Sequence, residues 1–241
     1  PDPRTIELSV PDRFEVLGDA VRDGPFDPAV CRLRFQGDPV YLHDVDGAAR
    51  TPDPAELPDR RFLAYGTSIT QGGAASEPHL TYVAQAGRAL GMDAINLGSG
   101  GSAYCEPELA EYVAAREDWD VATLGLSVNM VGAEFSLAEF RERVEYFVET
   151  VAATGRPVFA ITLFPHYRDS AVAPRPDDPD PDRYREALRS AVEAVDRPTL
   201  YLLEGRDLLP TSGLSADLIH PGDEGFVAIG SSLARRIEAR T

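Results

Sequence analysis

From Arg61 onward the chain repeats one pattern. A short, almost wholly apolar run is halted by Gly or a small polar residue and followed by a stretch with helical periodicity. The runs are Phe62-Leu63-Ala64-Tyr65, Ala94-Ile95-Asn96-Leu97, Val121-Ala122-Thr123-Leu124-Gly125-Leu126, Val158-Phe159-Ala160-Ile161-Thr162-Leu163 and Leu200-Tyr201-Leu202-Leu203. Strands with so little polar face need cover on both sides. Helical stretches near residues 82–90, 136–153, 183–195 and 224–239 supply it, and Ser136 with Glu139 makes a capping box at the start of the second. Strands alternating with helices imply a parallel sheet with right-handed crossovers. The expected fold class is therefore α/β: a three-layer α/β/α sandwich on a five-stranded, mainly parallel sheet.

Residues 1–50 read differently. Alternating stretches such as Cys31-Arg32-Leu33-Arg34-Phe35 and Val40-Tyr41-Leu42-His43 are separated by Gly, Pro and Asp, as short strands joined by turns would be. Three Pro residues between Thr51 and Arg60 mark a linker. The expected division is a small β-rich segment plus linker over 1–58, and one larger domain over 59–241. The first segment is expected to pack on the sheet edge, to contact a second copy in a homo-oligomer, or to bind carbohydrate.

Charge narrows the partners. Against 40 Asp and Glu stand 23 basic residues, every one of them Arg, for a net charge of −17. Phosphate backbones and anionic lipid surfaces would repel such a chain, so neither nucleic acid nor membrane is an expected partner. No apolar run approaches the roughly 18–20 residues that cross a bilayer. Pro1-Asp2-Pro3-Arg4 shows no signal pattern, and a cytoplasmic setting is expected. The acidic, Lys-free composition suggests an acidic proteome from either a GC-rich genome or adaptation to high salt, where the Debye length shrinks to about 3 Å at 1 M. Cys31 and Cys105 make neither a disulfide framework nor a zinc site, and scattered carboxylates lack ligand spacing. No metal or cofactor is expected.

In such sheets the working site lies at the carboxyl ends of the strands. After the first run comes Gly66-Thr67-Ser68-Ile69-Thr70-Gln71-Gly72-Gly73, and after the second Gly98-Ser99-Gly100-Gly101. Ser127-Val128-Asn129-Met130 follows the third, and Asp217-Leu218-Ile219-His220-Pro221 precedes the last helix. A Ser, a Gly-rich turn, an Asn and a closely spaced Asp/His pair thus converge on one edge. Such a set can supply a nucleophile, oxyanion donors, a base and its orienter. Taken alone, Ser68 reads equally as a helix cap and Asn129 as a turn residue.

These four segments, in this order, resemble the SGNH (GDSL-type) hydrolases from about residue 60 to the C-terminus. Gly66-x-Ser68-x-Thr70 looks like the nucleophile block, with Thr67 where many members carry Asp. Asn96-Leu97-Gly98-x-x-Gly101 is similar to the second block, and Asp217-x-x-His220-Pro221 to the last. Leu126-Ser127-Val128-Asn129 is similar to the third, with Ser127 where the family usually has Gly. Within the family the resemblance is to members with a small β-rich N-terminal segment.

The resemblance implies a flavodoxin-like SGNH fold and a serine esterase working through an acyl-enzyme on Ser68. It places the oxyanion between the Ser68 N–H, the Gly101 N–H and the Asn129 amide. Short acyl groups, acetyl on a small alcohol or sugar among them, are the implied substrates. His220 would take the serine proton, and Asp217 would hold its tautomer. Thr67, Tyr104 and His166 are expected against the substrate. Cys105 is not expected as a nucleophile, since nothing cationic lowers its pKa, and His43 and His79 read as structural. Two alternatives stay open: an O-acyltransferase using the same acyl-enzyme, and a non-catalytic carbohydrate-binding protein on a decayed hydrolase fold.

Overall fold

The computed structural model describes residues 5–16, 18, 24–35, 40–132, 135–170 and 179–241. Five strands, β1 (Arg61–Gly66), β2 (Asp93–Gly98), β3 (Val121–Gly125), β4 (Val158–Ile161) and β5 (Leu200–Leu203), form one sheet in the order β2-β1-β3-β4-β5. Every pairing is parallel. The helices are α1 (Ser68–Gln71), α2 (Tyr82–Leu90), α3 (Pro107–Ala115), α4 (Leu137–Ala152), α5 (Pro181–Val195), α6 (Gly205–Leu208) and α7 (Asp223–Glu238).

The two sheet faces carry separate cores. On one face Val113 of α3, Phe140, Val144 and Phe147 of α4, and Leu188 of α5 pack on Leu63, Tyr65 and Leu124. On the other, Tyr82 of α2 with Phe226, Ile229 and Leu233 of α7 pack on Phe62, Phe159 and Ile161. Alternate residues of one strand thus feed opposite cores, which is why the runs had to be apolar throughout. The result is the three-layer sandwich read from the sequence.

The chain passes from β1 to β2 on one side and then crosses back over β1 to β3 on the other, so the strand order reverses between β1 and β3. Crevices open at the carboxyl ends of strands where the order reverses. β1, β2 and β3 all end in Gly, in register: Gly66 opposite Gly98 and Gly66 opposite Gly125. A Cβ at Gly98 would collide with the backbone of Gln71, and one at Gly66 with Thr70. Side-chain-free strand ends let α1 sit directly on the sheet edge, where it carries Ser68.

The described residues of 1–58 add no strand to this sheet. Among these residues there are 3-10 turns at Asp12–Val16 and Pro54–Glu56 but no sheet pairing. Cys31-Arg32-Leu33-Arg34-Phe35 and Val40-Tyr41-Leu42-His43 alternate as strands would, and among the described residues no strand pairs with them. Alternation supplies a face, and pairing needs a second strand and something to pack on. Ile6, Leu8, Phe35, Tyr41 and Leu42 stay exposed. The segment meets the larger domain where Arg32 Nε lies 2.9 Å from Asp93 Oδ1 at the start of β2. The reading of Pro1-Asp2-Pro3-Arg4 and most of the Pro- and Asp-rich loop expected over 175–181 lie outside the described residues. Among the described residues, no helix is long and apolar enough to cross a membrane.

Candidate active site

Ser68 is the first residue of α1, and Thr67, not Ser68, is its N-cap: the Thr67 hydroxyl accepts from the Ile69 N–H at 3.4 Å. That division of labour frees the Ser68 hydroxyl. Its Oγ lies 2.7 Å from His220 Nε2, across 152 residues of sequence. His220 Nδ1 lies 2.6 Å from Asp217 Oδ2. A carboxylate can only accept, so Nδ1 carries the ring proton and Nε2 presents its lone pair to the Ser68 O–H.

Asp217 is held from several directions. Its Oδ1 accepts from the backbone N–H groups of Ile219 and His220, each at 2.9 Å, and from the Ser215 hydroxyl at 2.8 Å. Desolvation alone would raise its pKa. The His220 side chain and these donors outweigh that and hold the carboxyl far below the usual carboxylate range. One oxygen shapes the turn while the other orients the imidazole. Leu218, between the two residues, takes φ 56° to close the turn.

The three candidate oxyanion residues sit at the ends of three adjacent strands. Asn129 lies in the 3-10 turn Val128–Met130 after β3, and its amide donates to Ser99 O at 3.3 Å. An amide nitrogen carries two hydrogens, and one is spent there. Gly101 follows β2 at φ 71°, with nothing within 4 Å of where a Cβ would stand. Neighbouring Gly100 gives its N–H to Gln71 Oε1 at 3.1 Å. Gly100 is thus a tether of the turn, and Gly101 has the open face.

Ser127 carries the cost of departing from Gly. It stands at φ 130°, ψ −50°, a conformation that favours glycine. The residue is buried, and its hydroxyl has no hydrogen-bond partner among the described residues.

The residues expected against the substrate are placed unevenly. Thr67 is 3% exposed and committed to its cap. Tyr104 turns its hydroxyl onto Gly101 O at 2.6 Å. His166 is buried in the loop after β4, where the Arg168 N–H donates to its Nδ1 at 3.3 Å. Burial first, and the Arg168 charge second, push its pKa down to about 4. That loop is anchored by Arg185, wholly buried, which donates to Leu163 O, Phe164 O and both oxygens of Asp169. Cys105 is buried, and desolvation drives its thiol upward, away from thiolate chemistry. Among the described residues, no group of three or more His, Cys, Asp or Glu could hold a metal ion.

The model of the GDSL-like lipase/acylhydrolase family matches residues 64–228, which run from β1 through the His220 loop into α7. The chain belongs to that family.

Among solved structures, a candidate GDSL-like lipase from Bacteroides ovatus is 28% identical with a TM-score of 0.63, covering 75% of this chain and 53% of its own. A salicylyl-acyltransferase from a tetracycline biosynthetic pathway is 20% identical at TM-score 0.62, covering 76% of this chain and 56% of its own. An esterase from a psychrotrophic Pseudoalteromonas is 12% identical at TM-score 0.60, covering 75% of this chain and 98% of its own. The latter two share the fold. This family member spans little more than half the length of the first two. No curated protein is similar enough to the chain to match it.

Two contacts of the candidate site lay beyond the motifs. The Ser76 N–H and hydroxyl donate to Asp223 at 2.8 and 2.7 Å, tying the stretch after α1 to the start of α7, next to the His220 loop. Ser215 supports Asp217. Ser215-x-Asp217 is readable as a turn signal. Ser76 and Asp223 meet across 147 residues, and no local pattern announces them.

Proposed function

We propose that the protein is a serine esterase that cleaves short-chain O-acyl esters, acetyl among them, of a small alcohol or carbohydrate through an acyl-enzyme on Ser68. The observation that carries this reading is the continuous relay from Ser68 Oγ to His220 Nε2 at 2.7 Å and from His220 Nδ1 to Asp217 Oδ2 at 2.6 Å. A serine hydroxyl is inert until a base takes its proton, and the relay provides that base already oriented.

In this reading Ser68 Oγ attacks the ester carbonyl while His220 Nε2 takes its proton. Charge develops on the carbonyl oxygen, which the Ser68 N–H, the Gly101 N–H and the Asn129 amide receive. Each such donor is worth roughly 2.7–4 kcal/mol in the transition state. The imidazolium then protonates the departing alcohol, leaving the acyl group on Ser68. Water gives its proton to His220 and attacks the acyl carbon, and the imidazolium returns that proton to Ser68 Oγ as the acid leaves. Asp217 stays ionised throughout, stabilising the imidazolium.

Turnover of p-nitrophenyl acetate, butyrate and octanoate, and of acetylated sugars, tests the assignment. The expected order is acetate well above octanoate, with sugar acetates cleaved and free acid as the main product when methanol competes with water. Transfer to methanol outrunning hydrolysis would make the protein an acyltransferase. No turnover of any ester by folded protein would return it to a binding role.

A further inference from the structure

We propose that Tyr104 is a positioning residue for the oxyanion site: its hydroxyl holds the Gly101 carbonyl and so fixes the aim of the Gly101 N–H. This rests on the reading of Gly101 as an oxyanion donor. The turn after β2 needs such a device. Gly100, Gly101 and Ser102 are exposed, and a side chain at 101 would touch nothing. A glycine at positive φ in open surroundings has more freedom than any other residue. An oxyanion donor with that freedom would cost reorganisation at each turnover, which preorganised sites avoid.

Side-chain bonds remove the freedom: the Ser102 hydroxyl donates to the Gly100 carbonyl at 3.4 Å on the Gly100–Gly101 peptide itself, and two shorter bonds hold its flanks. Gln71 Oε1 accepts the Gly100 N–H at 3.1 Å, and Tyr104 Oη donates to the Gly101 carbonyl at 2.6 Å. The peptide carrying the Gly101 N–H lies between these points and is clamped from both ends. Tyr104 is itself braced. Its N–H donates to Glu106 at 3.2 Å, and its carbonyl accepts from Arg143 of α4 at 3.0 Å. Its ring lies 4.9 Å from Phe135, over which the Arg143 guanidinium stands at 4.7 Å. The path from helix α4 to the Gly101 turn thus runs through one aromatic side chain whose hydroxyl is its last link.

Tyr104→Phe deletes that link and keeps the ring, so packing on Phe135 survives. The measurements are kcat and KM for p-nitrophenyl acetate, the rate of inactivation by diethyl p-nitrophenyl phosphate, and Tm. In that reagent the phosphoryl oxygen takes the oxyanion position. The expected result is kcat down about tenfold, milder than loss of a whole donor. KM should stay within twofold, inactivation should slow by the same factor, and Tm should be unchanged. A loss in kcat alone marks an interaction made only in the transition state. Turnover within twofold of wild type overturns the inference. So does a kcat loss without slower inactivation, or one accompanied by a lowered Tm, which assigns Tyr104 to packing. Ser68→Ala runs alongside: wild-type turnover in that variant removes the reading of the site itself, while an inactive Ser68→Ala with unimpaired Tyr104→Phe removes only the positioning role.

Discussion

Ser127 places an ordinary L-residue at φ 130° beside the candidate oxyanion amide and leaves a buried hydroxyl without a partner among the described residues. Backbone strain of this kind costs about 1–3 kcal/mol, and an unpaired buried hydroxyl adds to it. Replacing it by glycine returns roughly 0.5–1 kcal/mol of that in chain entropy. Ser127→Gly is therefore expected to stabilise the protein by about 1 kcal/mol in urea unfolding, and a loss of stability would contradict the strain. His166 gives a second residue-scale expectation. An unfolded histidine titrates near 6.5 and this one at about 4, because burial and Arg168 oppose its charge. The unfolded chain binds the extra proton between those values, so this contribution is complete above about pH 6.5 and is lost as pH falls toward 4. His166→Gln should lose less Tm between pH 7 and 5 than wild type does. An equal loss would show that His166 is not the group responsible.

At the scale of elements, the site is a set of strand ends and the loops that leave them. Four loops reach it from β1, β2, β3 and the stretch before α7, and what fixes them is side-chain bonding between loops. The loop after β4 shows the principle. Arg185 of α5 is fully buried and gives its guanidinium to two backbone carbonyls and to Asp169, which in turn accepts the His166 N–H at 2.9 Å. Arg185→Leu would leave those carbonyls without that donor and take from Asp169 its buried cation, so that only the His166 N–H and the more exposed Arg206 still donate to it. A loss of about 3–5 kcal/mol in chemical denaturation is expected, and a change under 1 kcal/mol would mean the loop is held by other contacts. The elements themselves were largely legible. Apolar runs located all five strands, and helical periodicity placed Tyr82–Leu90 to the residue. Helix α3 went unread, although Pro107 at its first turn and the apolar Leu109, Ala110 and Val113 were available signals. Ser68, Gly101 and Asn129 were legible because each follows a strand end in order, and Asp217 and His220 because they form a close pair ahead of the last helix. Their supports, Arg185, the Ser76–Asp223 tie and the Tyr104 hydroxyl, are contacts between distant loops and leave no spacing to read.

For the whole molecule, the charge of −17 acts on every element at once. Repulsion among exposed carboxylates destabilises the compact state and is screened by salt. Tm is expected to rise between 0.1 and 2 M NaCl, by roughly 2–4 °C for each kcal/mol of repulsion removed. A flat or falling Tm would show that the Arg–carboxylate pairs already balance the surface. The central claim is narrower: the two halves of the chain that bring Ser68 and His220 together make one nucleophile. Its most direct test is mass spectrometry of the protein quenched in acid during turnover of p-nitrophenyl acetate, with Ser68→Ala in parallel. The account predicts a 42 Da acetyl adduct (the mass added when acetyl replaces hydrogen, about that of C2H2O) on the peptide containing Ser68, and neither adduct nor turnover in the variant. Wild-type turnover by Ser68→Ala, or an adduct on another residue that forms and decays at the turnover rate, would contradict it.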